Sequence, residues 1–158
     1  MPALHDDIAH LVPLLGTWRG EGRGIYPTID DFGYGEELTY SHVGDAYLVY
    51  EQRSWAMDSG DPVHLERGFV RPAPEPGALE LVLAHPIGVV EVAHGRIDGN
   101  ELTFSTDPGH VARTATGLEV TGLRRRYVID GDSLTYTLDM ATTATPMTEH
   151  LRAELRRV

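Results

Sequence analysis

The sequence predicts an all-β protein, an antiparallel up-and-down barrel with a short helix at each end. Three observations lead to this prediction. Apolar and polar residues alternate with a period of two from residue 16 to about residue 142. Short turn sequences rich in glycine, proline and aspartate separate the alternating runs, which favours hairpins between antiparallel neighbours. A meander of hairpins closes most simply into an up-and-down barrel, and a barrel of this kind can hold one small ligand.

The first element is a short amphipathic helix, predicted from apolar residues at helical spacing: Leu4, Ile8, Leu11 and Leu15. Asp6 and Asp7 lie near its start, where the helix dipole favours acidic side chains. Pro13 is expected to end the helix early, because proline lacks the amide donor that a helix interior needs.

The strands of the barrel follow the helix along the chain. They are expected near residues 16–27, 36–42, 46–56, 63–71, 78–84, 89–97, 101–105, 118–130 and 134–140. In the last of these, Leu134, Tyr136 and Leu138 alternate with polar residues, which is typical of a half-buried strand. The Asp-Pro-Gly sequence at 107–109 predicts a turn that ends the strand before it.

The chain is expected to end in a second short helix. Its apolar stripe consists of Met147, Leu151, Leu155 and Val158. Arg156 and Arg157 would lie in the last turn, where the helix dipole favours positive charge. His150 would lie at the edge of the apolar stripe.

Composition limits the classes of function. The length favours one domain over residues 1–158. The absence of cysteine excludes disulfides, thiolate metal sites and cysteine nucleophiles. A formal charge of −11 opposes binding to nucleic acid or to an anionic membrane, so small molecules or copies of the chain are the expected partners. No apolar run reaches the length of a membrane span and no signal-peptide pattern is present, so a cytoplasmic location is expected.

Glycines recur on one face of the first strand, and the opposite face is polar. The face consists of Gly16, Trp18, Gly20, Gly22, Gly24 and Tyr26. Each glycine weakens a strand by roughly 0.5–1 kcal/mol relative to alanine, so the repetition needs a reason. One interpretation is a bare wall that lets a flat ligand lie against the backbone. The other is that the glycines permit sharp curvature or bulges in the barrel.

The string GTWRGEGRGIYP at 16–27 resembles the signature of the nitrobindins. These are ten-stranded barrels, similar in shape to lipocalins and fatty-acid-binding proteins, that carry non-covalent haem b. The resemblance extends over nearly the whole chain. It includes the segments 28–29, 32–37, 41–42, 66–72, 88–92, 142–143 and 150–151.

The resemblance implies a set of haem-site residues. His150 would bind the haem iron from one side and so serve as the metal ligand and catalytic residue. From the residues alone, a histidine is the natural axial ligand in a cysteine-free chain, although tyrosine or methionine could serve. His64 matches a histidine near the haem pocket, and Thr28 matches a loop beside the haem. The bare wall for the porphyrin would consist of Gly16, Trp18, Gly20 and Gly22. One of Arg124, Arg125 and Arg126 could pair with a haem propionate, but alternate residues face opposite sides of a strand.

The resemblance also implies the activity. A ferric haem b would isomerise peroxynitrite to nitrate and bind nitric oxide, for detoxification or sensing of reactive nitrogen species, and the chain would form a homodimer. Barrel shape alone suits an alternative, an intracellular carrier of a fatty acid or another apolar ligand. Such a carrier usually needs an internal charged anchor, which the sequence does not identify. A sensor or interaction module is the third class.

Overall fold

The computed structural model describes residues 2–158, in which ten antiparallel strands form a closed barrel. Each strand pairs with its neighbours along the chain, and the last pairs with the first. The strands are β1 (Gly16–Tyr26), β2 (Ile29–Ser41), β3 (Leu48–Ala56), β4 (Pro62–Pro72), β5 (Ala78–His85), β6 (Val89–Asp98), β7 (Glu101–Arg113), β8 (Val120–Asp130), β9 (Ser133–Thr142) and β10 (Thr148–Arg157). The predicted up-and-down barrel is therefore confirmed.

The predicted C-terminal helix is wrong, because the segment forms strand β10. The spacing of its apolar residues fits a helix, but Leu151, Ala153 and Leu155 also alternate with charged residues, as in a strand. Without this segment, β1 and β9 would each leave an edge of unpaired amides and carbonyls. β10 pairs with both edges and closes the barrel, so the backbone hydrogen bonds of the sheet outweigh the helical pattern.

The predicted N-terminal helix is present as a 3₁₀ helix, Asp6–Leu14, and it closes one end of the barrel. Its apolar side chains Ile8, Leu11 and Leu14 are fully buried in the core. The carbonyl oxygen of Leu14 accepts a hydrogen bond of 2.8 Å from the indole nitrogen of Trp18. No helix among residues 2–158 is long and apolar enough to cross a membrane.

The predicted turn at 107–109 is a bulge inside β7. Ala93 of β6 pairs with Thr106, and Glu91 pairs with Val111, so the intervening residues of β7 loop out of the ladder. Gly109 adopts a positive φ of 82° there, as turn glycines often do. The strand then resumes its pairing with β6, which the Asp-Pro-Gly sequence alone did not indicate.

Aromatic rings from β2 lie over the glycines of β1. Gly22 pairs with Tyr34 and Gly24 pairs with Phe32 across the two strands. A Cβ atom on either glycine would clash with the ring opposite it. A Cβ on Gly20 would instead clash with the backbone of Glu154 in β10. The glycines therefore admit neighbouring aromatic rings and a close strand, an arrangement known from edge glycines in other sheets.

Candidate functional site

The barrel encloses a cavity of about 220 Å³. Much of its wall is apolar, formed by Phe32, Val63, Ile87, Val89, Leu118, Val120, Leu123, Leu138, Met140 and Leu151. The rest is formed by Ser54, by the tyrosines Tyr34, Tyr50, Tyr127 and Tyr136, and by a polar set that consists of Glu36, Gln52, His64, Glu66, His85, Arg125 and His150. An apolar cavity with a few convergent polar groups is the usual form of a small-molecule site.

His150 faces this cavity because of a bulge in β10. Glu149 pairs with Asp139 and Leu151 pairs with Leu138, so His150 is the additional residue between them. Strict alternation would send His150 and Leu151 to opposite sides of the sheet. The bulge brings both of them to the cavity, which is a common use of bulges beside functional sites.

The His150 ring is held in one orientation. Its Nδ1 lies 3.0 Å from the carbonyl oxygen of Ile25, so Nδ1 carries the proton and donates it. The Tyr26 ring packs edge-on against the imidazole with 5.1 Å between ring centroids, and the Phe32 ring also lies edge-on to it, at 6.5 Å. Within residues 2–158, Nε2 has no hydrogen-bond partner. A neutral imidazole fixed in this way presents the lone pair of Nε2, as metal-binding histidines do.

A buried guanidinium and two carboxylates form the polar wall. Arg125 donates to Glu66 Oε2 at 3.0 Å and also to Glu91. Tyr50 donates to the other oxygen of Glu66 at 2.6 Å. Although burial alone would raise it, Arg125 and the nearby imidazoles lower the pKa of Glu66 to about 2. The carboxylate of Glu66 is therefore ionised at neutral pH.

Two histidines lie beside this wall. His64 Nε2 and His85 Nδ1 are 3.2 Å apart and share one hydrogen bond. Burial lowers the pKa of His64, because the charged imidazolium loses its hydration inside the barrel. His64 is therefore neutral at neutral pH and can donate or accept a hydrogen bond in the cavity.

A separate polar cluster surrounds Glu36. Tyr136 donates a hydrogen bond of 2.6 Å to Glu36 Oε2, and the hydroxyls of Tyr136 and Tyr34 are 2.9 Å apart. Burial raises the pKa of Glu36 to about 8, so its carboxyl group is protonated at neutral pH. Oxygens of Glu36 and Gln52 are buried without a partner among the described residues.

The structure brings two of the sequence-predicted site residues together and leaves the others outside. His150 and His64 line the cavity. Thr28 is exposed in the turn between β1 and β2 and does not line it.

Gly16, Trp18, Gly20 and Gly22 do not line the cavity either. The expected bare wall is filled because the Tyr34 ring covers Gly22, β10 covers Gly20, and Trp18 packs under the N-terminal helix. The guanidinium of Arg157 lies 4.0 Å above the Trp18 ring. These contacts are close packing against neighbouring strands and rings, and the second interpretation, sharp curvature or bulges, stays a prediction.

Sequence reasoning assigned no role to Glu36, Glu66 and His85 in the cavity or to Glu91 beside it, and it named Arg125 only as one of three possible propionate partners. A signal for them was present, because each occupies an inward position of an alternating strand. In β5, for example, Leu79, Leu81, Leu83 and His85 are the buried series. A polar residue in such a series indicates a buried polar partner on a neighbouring strand.

Comparison with known proteins identifies the family. Residues 7–157 match the family described as the THAP4-like, heme-binding beta-barrel domain. The chain belongs to this family. The resemblance to the nitrobindins, drawn above from the sequence, is thereby confirmed.

Relatives in this family are similar over nearly their full length. The chain is 48% identical to a peroxynitrite isomerase of Nocardia farcinica, over 98% of this chain and 93% of the relative. It is 46% identical to peroxynitrite isomerase 2 of Mycobacterium avium, over 98% of this chain and 96% of the relative. The crystal structure of Rv2717c from M. tuberculosis has a TM-score of 0.89 and 40% sequence identity, and the match covers 99% of each chain.

The residues of this cavity fit a haem. An imidazole whose Nε2 has no hydrogen-bond partner among the described residues faces a cavity with a largely apolar wall, which is the setting that a haem requires. The Tyr34 hydroxyl is hydrogen-bonded to the Tyr136 hydroxyl, which in turn donates to Glu36, so both hydroxyls are already engaged. The backbone oxygen of Met140 accepts a hydrogen bond from the Tyr26 hydroxyl, which fixes the cavity wall at Met140. His64 and His85 share a hydrogen bond with each other, whereas His150 Nε2 has no hydrogen-bond partner among the described residues.

Proposed function

We propose that this protein binds haem b in the barrel cavity through His150 and isomerises peroxynitrite to nitrate. The observation that carries the proposal is the His150 imidazole, whose Nδ1 proton is fixed on the Ile25 carbonyl while Nε2 remains free at the cavity. The family and the names of relatives at 46–48% identity support the same reading.

The chain's own residues would hold and shield the cofactor. His150 would bind the iron through Nε2, and its hydrogen bond to Ile25 would keep the ring from turning. The apolar wall would contact the porphyrin faces and exclude water. When bound, ferric haem would supply a coordination position for peroxynitrite or nitric oxide, and the rearrangement would take place there. Neutral His64 on the facing wall can donate a hydrogen bond to such a ligand.

The experiment that tests the activity is stopped-flow measurement of peroxynitrite decay. The haem-loaded protein is expected to accelerate decay and to raise the yield of nitrate, while the haem-free protein at the same concentration does neither. Haem-loaded and haem-free protein giving equal decay rates would refute the isomerase proposal. Addition of nitric oxide should shift the Soret band of the loaded protein, which tests the second ligand.

A sensing role and a homodimer belong to the same proposal. Sedimentation velocity with and without nitric oxide tests both, because sensing through assembly requires a change in mass. A cytoplasmic location stays a prediction from composition.

The alternative of a fatty-acid carrier is less well supported by the cavity. A carrier needs a positively charged side chain in the cavity to bind the ligand carboxylate. Among the described residues that line the cavity, the arginine is Arg125. It is already bound by Glu66 and Glu91, whose charges would repel a second carboxylate.

A further inference from the structure

We infer that the cavity wall facing His150 contains a second metal site, formed by His64, Glu66 and His85, that takes a divalent transition-metal ion. The ligand atoms are Nε2 of His64, Oε2 of Glu66 and Nδ1 of His85. The site does not depend on haem, so it stands or falls separately from the proposed isomerase activity.

The three ligand atoms have the mutual spacing that a tetrahedral metal requires. His64 Nε2 and His85 Nδ1 are 3.2 Å apart, His85 Nδ1 and Glu66 Oε2 are 3.3 Å apart, and His64 Nε2 and Glu66 Oε2 are 4.0 Å apart. Metal–ligand bonds of about 2.0–2.2 Å at tetrahedral angles place the ligand atoms roughly 3.3–3.5 Å from one another. Two of the three separations fit directly, and the third needs a shift of well under 1 Å.

The ligands stand on adjacent strands rather than on loops. His64 and Glu66 are two residues apart on β4, so both point inward. His85 ends β5, one step beyond the paired residues Arg67 and Ala84, which places it beside Glu66. In the closed order of ten strands, β5 is five strands from β10 in both directions, so His85 stands across the barrel from His150. Ligands on strands are held more precisely than ligands on loops.

Two buried atoms without partners support the inference independently. His85 Nε2 and Glu91 Oε2 have no hydrogen bond within the described residues, although they are 3.8 Å apart and the side chains are almost fully buried. A metal on Nδ1 of His85 fixes the ring proton on Nε2, directed toward Glu91. Metal-binding histidines commonly donate their second ring proton to a carboxylate in this way. Tyr50 likewise fixes the oxygen of Glu66 that is not a ligand.

The local charge favours a cation. Glu66 and Glu91 carry two negative charges and Arg125 carries one positive charge, so this wall has an excess of one negative charge before the imidazoles are counted. Arg125 donates to the same Glu66 oxygen that is assigned to the metal. Its repulsion makes the site weaker than a structural zinc centre.

The ligand set selects the class of metal. Two imidazoles and one carboxylate suit Zn²⁺ and neighbouring first-row ions better than Mg²⁺ or Ca²⁺, which prefer oxygen ligands. Three protein ligands leave the fourth position open, and all three residues line the cavity. That position can hold water or a small anion on the wall that faces His150.

The test is titration of the full-length chain, purified without added haem, with Zn²⁺ by calorimetry. One ion per chain is expected. His64→Ala and His85→Ala should each weaken binding by more than about 100-fold, because losing a ligand costs more than the 10–100-fold typical of an outer partner. Co²⁺ should give the visible absorption of a tetrahedral site in the original chain, and this absorption should be lost in His64→Ala and His85→Ala. His64 is partly exposed, so its variant is the one least expected to disturb folding.

Two control variants separate this site from other histidines. His150→Ala should retain the ion; loss of the ion in this folded variant would assign it to His150 and overturn the inference. His94→Ala should also retain it, although His94 and Asp107 form an exposed pair 3.2 Å apart. The inference is overturned if the original chain binds no Zn²⁺, or if folded His64→Ala binds it with unchanged affinity and stoichiometry.

Discussion

The Nδ1 atom of His150 lies 3.0 Å from the carbonyl oxygen of Ile25, across the pair of strands that closes the barrel. The ladder on either side of this pair is irregular here. The β1–β2 ladder has a register shift between Gly24 and Tyr26, and the β9–β10 ladder has one between Glu149 and Leu151. The shifts free a backbone carbonyl from the sheet and turn the imidazole inward. The two irregularities therefore lie on either side of the hydrogen bond that orients the candidate iron ligand.

Replacement of His150 tests the ligand assignment. His150→Ala is expected to weaken haem binding by more than about 100-fold, because loss of a ligand costs more than loss of an outer-shell partner, which costs about 10–100-fold. Titration with hemin, followed by the Soret band, measures the change. Added imidazole should partly restore the original spectrum, because it can occupy the position that the side chain leaves.

The control for that experiment is His110→Ala, which removes an exposed histidine of β7. Its hemin titration should match that of the original chain. If His150→Ala and His110→Ala bind hemin equally well, His150 is not the iron ligand.

Gly22 tests the packing of aromatic rings on glycine. A Cβ atom at this position would clash with the Tyr34 ring, so Gly22→Ala should displace the ring and its hydrogen bond to Tyr136. The expected loss is about 1–3 kcal/mol of unfolding free energy, as for other overpacked sites. Urea denaturation measures it.

Gly33→Ala is the matched control, because a Cβ atom there would meet only ordinary contacts, with Met57 Cγ at 3.8 Å. Its stability should be unchanged or higher by up to about 1 kcal/mol, since alanine suits a strand better than glycine. Equal losses in the two variants would show that ring packing on Gly22 is not what the substitution disturbs.

Much of the fold could be predicted from the sequence, because period-two alternation and hairpin turns are local signals. The C-terminal segment could not, since its apolar spacing fits both a helix and a strand. Only the open edges of β1 and β9 decide between them, and those edges exist only once the rest of the barrel has formed. The bulge in β7 was also missed, because Asp-Pro-Gly at 107–109 forms a turn whether the strand ends there or resumes its pairing with β6.

The candidate site was predictable in part. His150 and His64 were indicated by the resemblance, but alternation cannot show that a bulge turns His150 inward. The wall of Glu66, Glu91 and Arg125 depends on strands β4, β6 and β8, which are distant in sequence. Which of these side chains pair depends on the register of the strands, because register decides which inward residues lie level with one another along the barrel axis. A single sequence does not fix that register.

Arg125 tests the buried ion pairs. Arg125→Met leaves Glu66 and Glu91 buried without their cation, so the variant should lose roughly 3–5 kcal/mol of unfolding free energy. Thermal and urea unfolding at pH 7 measure the loss. The adjacent Arg126 points outward and pairs with exposed Glu101, so Arg126→Met should change stability little. A mild effect at Arg125 would mean that these carboxylates are neutral or hydrated in the folded protein.

Glu36 gives the pH dependence. Burial raises its pKa from 4.5 to about 8. The negative charge of Glu66 adds to this increase, whereas hydrogen bonds from Tyr136 and Gln52 reduce it. Between pH 4.5 and 8 the folded state therefore holds a proton that the unfolded chain has released, and the free energy of unfolding falls as pH rises. The shift corresponds to roughly 5 kcal/mol across this range.

Glu36→Gln removes this titration, because glutamine keeps an oxygen to accept from Tyr136 and stays neutral at every pH. Urea denaturation of both proteins between pH 5 and 8.5 gives the difference in unfolding free energy, in which the titration of all other groups cancels. The variant should gain stability relative to the original chain as pH rises. A difference that stays constant over this interval would show that Glu36 is already ionised in the folded barrel at pH 5, which its burial opposes.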